Sequence, residues 1–307
     1  MSRTSTGSSS PRSAGVGPRY AVPESPAEIR DALRTLGVRP ARRWGQSFLA
    51  DPFVADAEAA LVEPTPDAPV LEIGGGLGIL TAALVRRGVA PLAVVEQNPR
   101  LAAHLRATFA DRVTVIEGDA LAVPFEGYAT VVGNLPYSVA TPILLRGFAA
   151  RIPRIVFLLQ REVAERLAAG PGSRAYGRLS IVSRLYGEVE LFRAVGRESF
   201  EPPPEVESRL GVHRARSGPL PVPSVPTFEH AVRTLFGSRR KQLGNLMPRL
   251  AGSGDAPERL ARRADWPQDW ARRRPEELPP EAFFRLAAVL AEATDPPSEP
   301  IRTNRRP

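Results

Sequence analysis

The sequence predicts a doubly wound, Rossmann-like α/β domain followed by a small helical domain. Three observations carry that expectation. Short apolar runs at residues 70–73, 92–95, 113–117, 129–132 and 155–159 alternate with helical patterns, the signature of βαβ units on a parallel sheet. The first run leads straight into a glycine-rich turn, Gly74-Gly75-Gly76-Leu77-Gly78. Past about residue 216 the composition changes to Ser-Gly-Pro-Leu-Pro-Val-Pro, and helical periodicity follows.

Residues 1–24 are rich in Ser, Gly, Arg and Pro, carry no acid before Glu24 and show no amphipathic period. They read as a disordered basic tail rather than a transit peptide. Ile29, Leu33 and Leu36 then stand at helical spacing, and Pro40 stops that helix. Arg42-Arg43-Trp44-Gly45-Gln46-Ser47-Phe48-Leu49 joins a basic pair to aromatic and polar residues in a loop. Such a loop suits RNA contact or a lid over a small ligand; a basic loop with buried Trp44 and Phe48 is the alternative. Asp51-Pro52 is a cap-and-start signal for a helix running to Val62.

The glycine-rich turn lets a backbone approach a ligand and opens a helix whose first N–H groups are free. Its glycines alternate at 74, 76 and 78, and Ile79 occupies the third position of the dinucleotide fingerprint. That spacing favours a nucleoside ligand without a pyrophosphate over NAD. Glu96 ends the second strand, where a carboxylate can accept both ribose hydroxyls. Asp119 follows the third strand, where it can accept from an adenine amino group. Either acid alone also suits a solvated loop. Together, at successive strand ends, they outline an S-adenosylmethionine site, with Glu72, Gly74, Gly76, Glu96, Gln97, Asp119 and Ala120 as candidate cofactor-binding residues.

Gly133-Asn134-Leu135-Pro136-Tyr137 lies at the end of the fourth strand. The N6 lone pair of adenine is delocalised into the ring and is a poor nucleophile. The Asn134 oxygen and a nearby main-chain carbonyl can accept the two N–H bonds and aim that lone pair at an electrophilic methyl group. Pro136 stiffens the turn and Tyr137 offers a stacking face. Asn, Pro and Tyr also suit an ordinary strand-to-helix turn.

The chain has 307 residues, 43% of them apolar, with a net charge of +8. An anionic partner is expected, nucleic acid before membrane. There is no cysteine, which excludes disulfides, cysteine-ligated zinc and cysteine nucleophiles. His104, His213 and His230 have no metal-ligand spacing and are expected on the surface or satisfied. No metal is expected. No run matches a membrane span or a signal peptide. A cytoplasmic monomer is the expectation.

Glu72-Ile73-Gly74-Gly75-Gly76, Glu96, Gly118-Asp119 and Gly133-Asn134-Leu135-Pro136-Tyr137 resemble the motifs of the rRNA adenine N6-dimethyltransferases. The resemblance spans about residues 27 to 293. Residues 43–49 resemble the family's Gly-Gln-Asn-Phe-Leu entry motif with Ser47 in place of Asn, which implies cofactor contacts at Gln46, Ser47 and Leu49. Two branches are similar: small-subunit rRNA enzymes and large-subunit enzymes of the macrolide-resistance type. Gln160-Arg161-Glu162-Val163, Tyr176-Gly177-Arg178-Leu179 and Phe200-Glu201-Pro202-Pro203-Pro204-Glu205-Val206-Glu207-Ser208 look like the small-subunit branch, and Leu135 replaces the isoleucine more typical of the resistance branch. The resemblance places Phe200 on the adenine face opposite Tyr137. It implies the catalytic set Asn134, Leu135, Pro136, Tyr137 and Phe200, with Asn134 also touching the cofactor.

The expected division is a methyltransferase domain over 25–215, a stiff proline linker over 216–226, a helical RNA-binding domain over 227–293 and a tail over 294–307. Phe228, Val232, Leu235 and Phe236 form an apolar stripe, and Arg239-Arg240-Lys241 are expected on a helix that, with Arg233 and Arg249, meets phosphates. Arg42 and Arg43 are further RNA-binding candidates. Arg262, Arg263, Arg272, Arg273 and Arg274 gather around Trp266 and Trp270, and an amphipathic helix over 280–293 closes the domain. The reaction expected is two successive in-line methyl transfers to adenine N6, driven by positioning rather than by a general base. An NAD-dependent oxidoreductase and a non-enzymatic ribosome-assembly factor are the readings from other classes.

Overall fold

The computed structural model describes residues 20–40, 46–63, 68–251 and 267–294. Three helices start on a cap followed by proline. Ser25, Asp51 and Asn98 accept from backbone N–H groups one turn in and precede α1 (Pro26–Thr35), α2 (Pro52–Ala60) and, later in the chain, the helix Pro99–Phe109. Proline loses nothing at such a position, because the N–H it lacks has no partner there.

The first strand, β1 (Phe48–Leu49), stands outside the main sheet. Next come β2 (Val70–Ile73), α3 (Ile79–Arg86), β3 (Leu92–Glu96), α4 (Pro99–Phe109) and β4 (Thr114–Glu117). They are followed by β5 (Thr130–Asn134), α5 (Ala140–Ala149), β6 (Arg154–Gln160), α6 (Arg161–Ala168), α7 (Arg178–Tyr186) and β7 (Gly187–Val195). A short β8 (Phe200–Glu201) and a long β9 (Ser208–Ala215) complete the strands.

The main sheet has seven strands in the order β4-β3-β2-β5-β6-β9-β7. The pairs from β4 to β6 are parallel, and β9 runs antiparallel to both β6 and β7. Every residue of β2 and β3 is buried, as strands covered on both faces require. Apolar layers fill both faces: Leu71, Ile73, Val131, Ile143 and Phe148 belong to one, and Val70, Leu84, Val94, Leu105 and Phe109 to the other. Strand order reverses between β2 and β5, so a crevice opens where their ends diverge. Gly133 is required there, because a Cβ would lie 2.5 Å from the Ile73 carbonyl oxygen.

The helical segment comprises α8 (Val225–Phe236), α9 (Met247–Ala251) and α10 (Pro280–Thr294). Phe228, Leu235, Phe283 and Leu286 share one apolar cluster with Tyr176, Ile181 and Leu185 beside the sheet. The Tyr176 hydroxyl donates to the Leu278 carbonyl at 2.8 Å. The expected linker is held down as well: Arg151 Nη2 donates to the carbonyls of Arg216 and Gly218, each at 2.8 Å.

Three expectations need correction. The basic tail was to extend to residue 24, but Val22 is buried and the Tyr20 ring lies 4.8 Å from that of Phe109; residues 1–19 lie outside the described residues. Arg239, Arg240 and Lys241 are not helical. α8 ends at Phe236 with Gly237 as its cap, and the triad lies in the turn that follows, closed by the Lys241 N–H on the Ser238 carbonyl at 2.9 Å. His213, expected on the surface or satisfied, is neither: it is fully buried, 4.2 Å from the Phe148 ring, and its ring nitrogens have no hydrogen-bond partner of good geometry among the described residues. Of the expected arginine cluster, Arg262, Arg263 and Trp266 lie outside the described residues, whereas Trp270 is buried with the Arg285 guanidinium 5.6 Å from its ring centroid and Arg273 pairs with Asp269 at 2.7 Å. Of the tail expected over 294–307 only Thr294 is described, as the last residue of α10. No helix among the described residues is long and apolar enough to cross a membrane.

Candidate active site

A cavity of about 670 Å³ opens at the carboxyl ends of β2, β3, β4 and β5. Its floor is Glu72, Gly74 and Gly76, its far wall Glu96 and Gln97, and its side Asp119 and Ala120. Gln46, Ser47 and Leu49 reach it from β1 and the residues before it, and Asn134, Leu135, Pro136 and Tyr137 from the end of β5. Gly74 has φ +78, and a Cβ there would meet no atom within 4 Å, so the turn leaves open space toward the cavity.

Glu96 is 6% exposed and accepts from the Gly76 N–H at 2.9 Å and the Asn98 N–H at 2.8 Å. Burial raises its pKa, opposed by those backbone N–H groups and that of Gln97. Glu72 accepts from the Thr81 hydroxyl at 2.7 Å through Oε2, and its Oε1 is buried without a partner among the described residues. Burial, with the negative charge of Glu96 as a lesser cause, pushes Glu72 up to about 8 against the Thr81 hydrogen bond. Asp119 accepts from the Leu121 N–H at 2.8 Å, which fixes its loop. No lining side chain among the described residues is basic. That donor set does not fit a pyrophosphate. It fits a cationic nucleoside, with an orphaned carboxylate oxygen still to be paired.

At the other end of the cavity, Asn134 Nδ2 donates to the Ser47 carbonyl at 3.3 Å. A carbonyl can only accept, so the amide is oriented with its nitrogen toward Ser47 and Oδ1 left as an acceptor. Ser47 acts through its main chain here, a contact that the missing Asn side chain does not alter. The Tyr137 hydroxyl shares a 2.7 Å hydrogen bond with Ser208 Oγ. Burial raises the phenol pKa, opposed by that bond, so Tyr137 is a neutral ring at neutral pH.

Phe200 is placed differently from expectation. It is 1% exposed, does not line the cavity and packs with Leu49, Val54 and Leu210. β8 pairs antiparallel with β1, Leu49 opposite Phe200, and the pairing closes over that apolar layer. Burying such a ring is worth about 2–3 kcal/mol, which holds it inward. Reasoning from sequence missed Phe48, Asn98, Ile79 and Val139 in the lining; Asn98-Pro99 carries a cap signal but nothing that marks a ligand contact. It also missed Glu58, buried with both carboxylate oxygens unpaired among the described residues.

The family model for ribosomal RNA adenine dimethylase matches residues 39–263 of the chain. The chain belongs to this family. It is an rRNA adenine dimethyltransferase. A probable ribosomal RNA small subunit methyltransferase A from Natronomonas pharaonis is 41% identical over 85% of this chain and 97% of its own length. A ribosomal RNA small subunit methyltransferase A from Corynebacterium efficiens is 37% identical over 86% and 96% of the two chains. Among solved structures, a dimethyladenosine transferase from Plasmodium falciparum shares the fold, with a TM-score of 0.68 at 21% identity over 80% of this chain and 98% of that one. The 23S rRNA methyltransferase ErmE aligns with a TM-score of 0.62 at 26% identity over 80% and 99%.

An rRNA dimethyltransferase also needs a surface for the rest of its RNA. Arg233, Arg240 and Lys241 are exposed, with no ion pair among the described residues. Arg239 is engaged instead by Glu276, Nε to Oε2 at 2.8 Å, and Arg249 reaches Ser238 Oγ at 3.3 Å. Arg42 and Arg43 lie outside the described residues.

Proposed function

We propose that this dimethyltransferase uses S-adenosylmethionine to methylate adenine N6 twice in small-subunit rRNA during ribosome assembly. The observation that supports it most is the pairing of an acidic nucleoside cavity with an Asn134 amide whose free oxygen is fixed by Ser47. Glu96 takes the ribose hydroxyls, Asp119 the adenine amino group, and Glu72 faces positive charge. The cofactor supplies an electrophilic methyl group when bound. Asn134 Oδ1 and a main-chain carbonyl of the 134–136 turn accept the two N6 hydrogens, and Leu135 and Pro136 hold that turn. Tyr137 lies against the base and, being neutral, takes no proton. Catalysis rests on orientation and exclusion of water. The N6 proton leaves once methylation has made the nitrogen acidic, and the same acceptor then presents it for the second transfer.

The small-subunit assignment rests on the relatives named for that subunit, 37–41% identical over most of the chain, against 26% for the 23S enzyme. Arg233, Arg240 and Lys241 would meet phosphates beyond the target adenine. The test is incubation with labelled S-adenosylmethionine and unmethylated small- or large-subunit rRNA, followed by mapping of dimethyladenosine. Label confined to the small subunit is expected. Label confined to the large subunit would reverse the assignment, and none on either would return the chain to the assembly-factor reading.

A further inference from the structure

Ser208 does not line the cavity, yet it is fully buried and its hydroxyl ends on the one group of Tyr137 that can be tethered. It is the first residue of β9, opposite Gln160 of β6 and Val195 of β7, so its backbone is held by sheet on both sides. The arm leading to it is fastened along its length. Arg197 Nε donates to the Pro204 carbonyl at 2.6 Å. The Arg161 N–H donates to the Glu207 carbonyl at 2.9 Å, and Arg161 Nη1 pairs with Glu207 at 2.7 Å. Ser199 anchors the arm's start, its carbonyl accepting from the Ala50 N–H at 2.8 Å and its hydroxyl donating to Asp51 at 3.1 Å.

Tyr137 is otherwise placed to be loose. It is half-buried on a turn at a cavity mouth, and a tyrosine ring turns about two side-chain bonds. Tied at its Cα by the turn and at its hydroxyl by Ser208, the ring keeps one plane. We propose that Ser208 is a positioning residue for methyl transfer: through its hydrogen bond it presets the Tyr137 ring against which the target adenine is held. This rests on the reading that Tyr137 contacts the base. The arm, rather than the Asn134–Tyr137 turn itself, then sets the stacking plane, so base and acceptor are aligned by two different segments. The raised phenol pKa agrees, because a neutral hydroxyl can remain a partner of Ser208 through the working pH range.

The test compares Ser208→Ala, Tyr137→Phe and the double variant in methylation of unmethylated small-subunit rRNA, with cofactor affinity by calorimetry. Each single variant is expected to lower kcat about ten-fold, the range for one hydrogen bond with a buried partner left over, with cofactor affinity unchanged. The double variant is expected to be no slower than either single variant, because all three lack the same bond. Losses that multiply in the double variant would make Ser208 merely structural and overturn the proposal. So would wild-type turnover in Tyr137→Phe, a variant that keeps the ring and does not depend on how Ser208→Ala folds. Tyr137→Ala separates the underlying reading: wild-type rates there would show that the ring does not hold the base at all.

Discussion

Replacing Glu58 with leucine should make the protein more stable at pH 8 than the wild type. Glu58 lies on α2, 0% exposed, with both carboxylate oxygens unpaired among the described residues. Burial first, and the neighbouring Glu72 second, raise its pKa from 4.5 to about 8. The folded chain therefore keeps a proton that the unfolded chain releases above pH 4.5. The stability tied to that proton is fully present below pH 4.5 and is lost as pH rises toward about 8. At about 1.4 kcal/mol per pH unit the loss over that window is on the order of 5 kcal/mol. Glu72 behaves alike, so leucine should remove about half of the combined slope. For a chain of this size each kcal/mol moves Tm by roughly 2–4 °C, so the leucine variant should melt several degrees higher at pH 8. Calorimetric melts between pH 6.5 and 8.5 isolate the effect, because His213 acts on the acid side. Its pKa is lowered by burial from 6.5 to about 4, so its contribution is lost only as pH falls below 6.5. A leucine variant that melts lower than wild type at pH 8, or with the same slope, would refute the buried-acid account.

Glu96→Ala should weaken S-adenosylmethionine binding about ten- to a hundred-fold, since two ribose donors lose their acceptor; an unchanged calorimetric affinity removes Glu96 from the site. Asn134→Ala should lower methyl transfer about a hundred-fold or more while the melting temperature holds, as expected for loss of a preorganised polar contact; wild-type turnover would defeat the mechanism. Arg240→Glu with Lys241→Glu should weaken binding to small-subunit rRNA and shallow its salt dependence by about two phosphate contacts, which a salt titration of RNA affinity reads directly. Phe200→Ala should cost about 3–5 kcal/mol of stability by emptying a core site, measured by urea unfolding; a large loss of activity with full stability would restore the stacking role expected from the family.

The five parallel strands were legible because they are short apolar runs, whereas the antiparallel β7 and β9 were not, because Glu188, Glu190, Arg209 and Arg214 break their apolar pattern. Glu96 and Asn134 each close a strand in the sequence and in the fold, and the run expected over 155–159 extends one residue further, to Gln160. One helix start was legible from its cap, Asp51-Pro52; Ser25-Pro26 and Asn98-Pro99 carry the same signal, which reasoning from sequence did not use. Phe200 was not, because its side is decided by the pairing of β8 with a two-residue strand some 150 residues earlier, Phe48–Leu49, a contact that no local pattern encodes. The Arg239–Lys241 turn was misread because basic residues have good helix propensity, whereas Gly237 and the 2.8 Å pairing of Arg239 with Glu276 decide the path. Burial of Glu58 and His213 was hidden for a similar reason: period alone does not reveal that a polar residue shares an apolar face. The bond between Asn134 and the Ser47 carbonyl was not legible, since the atom of Ser47 that bonds is main chain and carries no side-chain signature.

The charge distribution ties the two halves of the activity together. The chain carries +8 overall, while the described cavity lining holds the carboxyl groups of Glu96 and Asp119, with the Glu72 carboxyl held protonated up to about pH 8, and no basic side chain. A uniformly basic protein would draw RNA phosphate into its own cofactor site. On the proposed reading, phosphate would be attracted to exposed arginines such as Arg233 and Arg240 and repelled from the strand ends, so that only an uncharged base would enter. The same acidic lining favours a cation inside. A sulfonium donor becomes neutral at sulfur when it gives up its methyl, so the attraction weakens as the reaction is completed. On the proposed reading, walls that favour the donor would thereby favour release of the product, which dimethylation needs because one adenine must meet two cofactor molecules in succession.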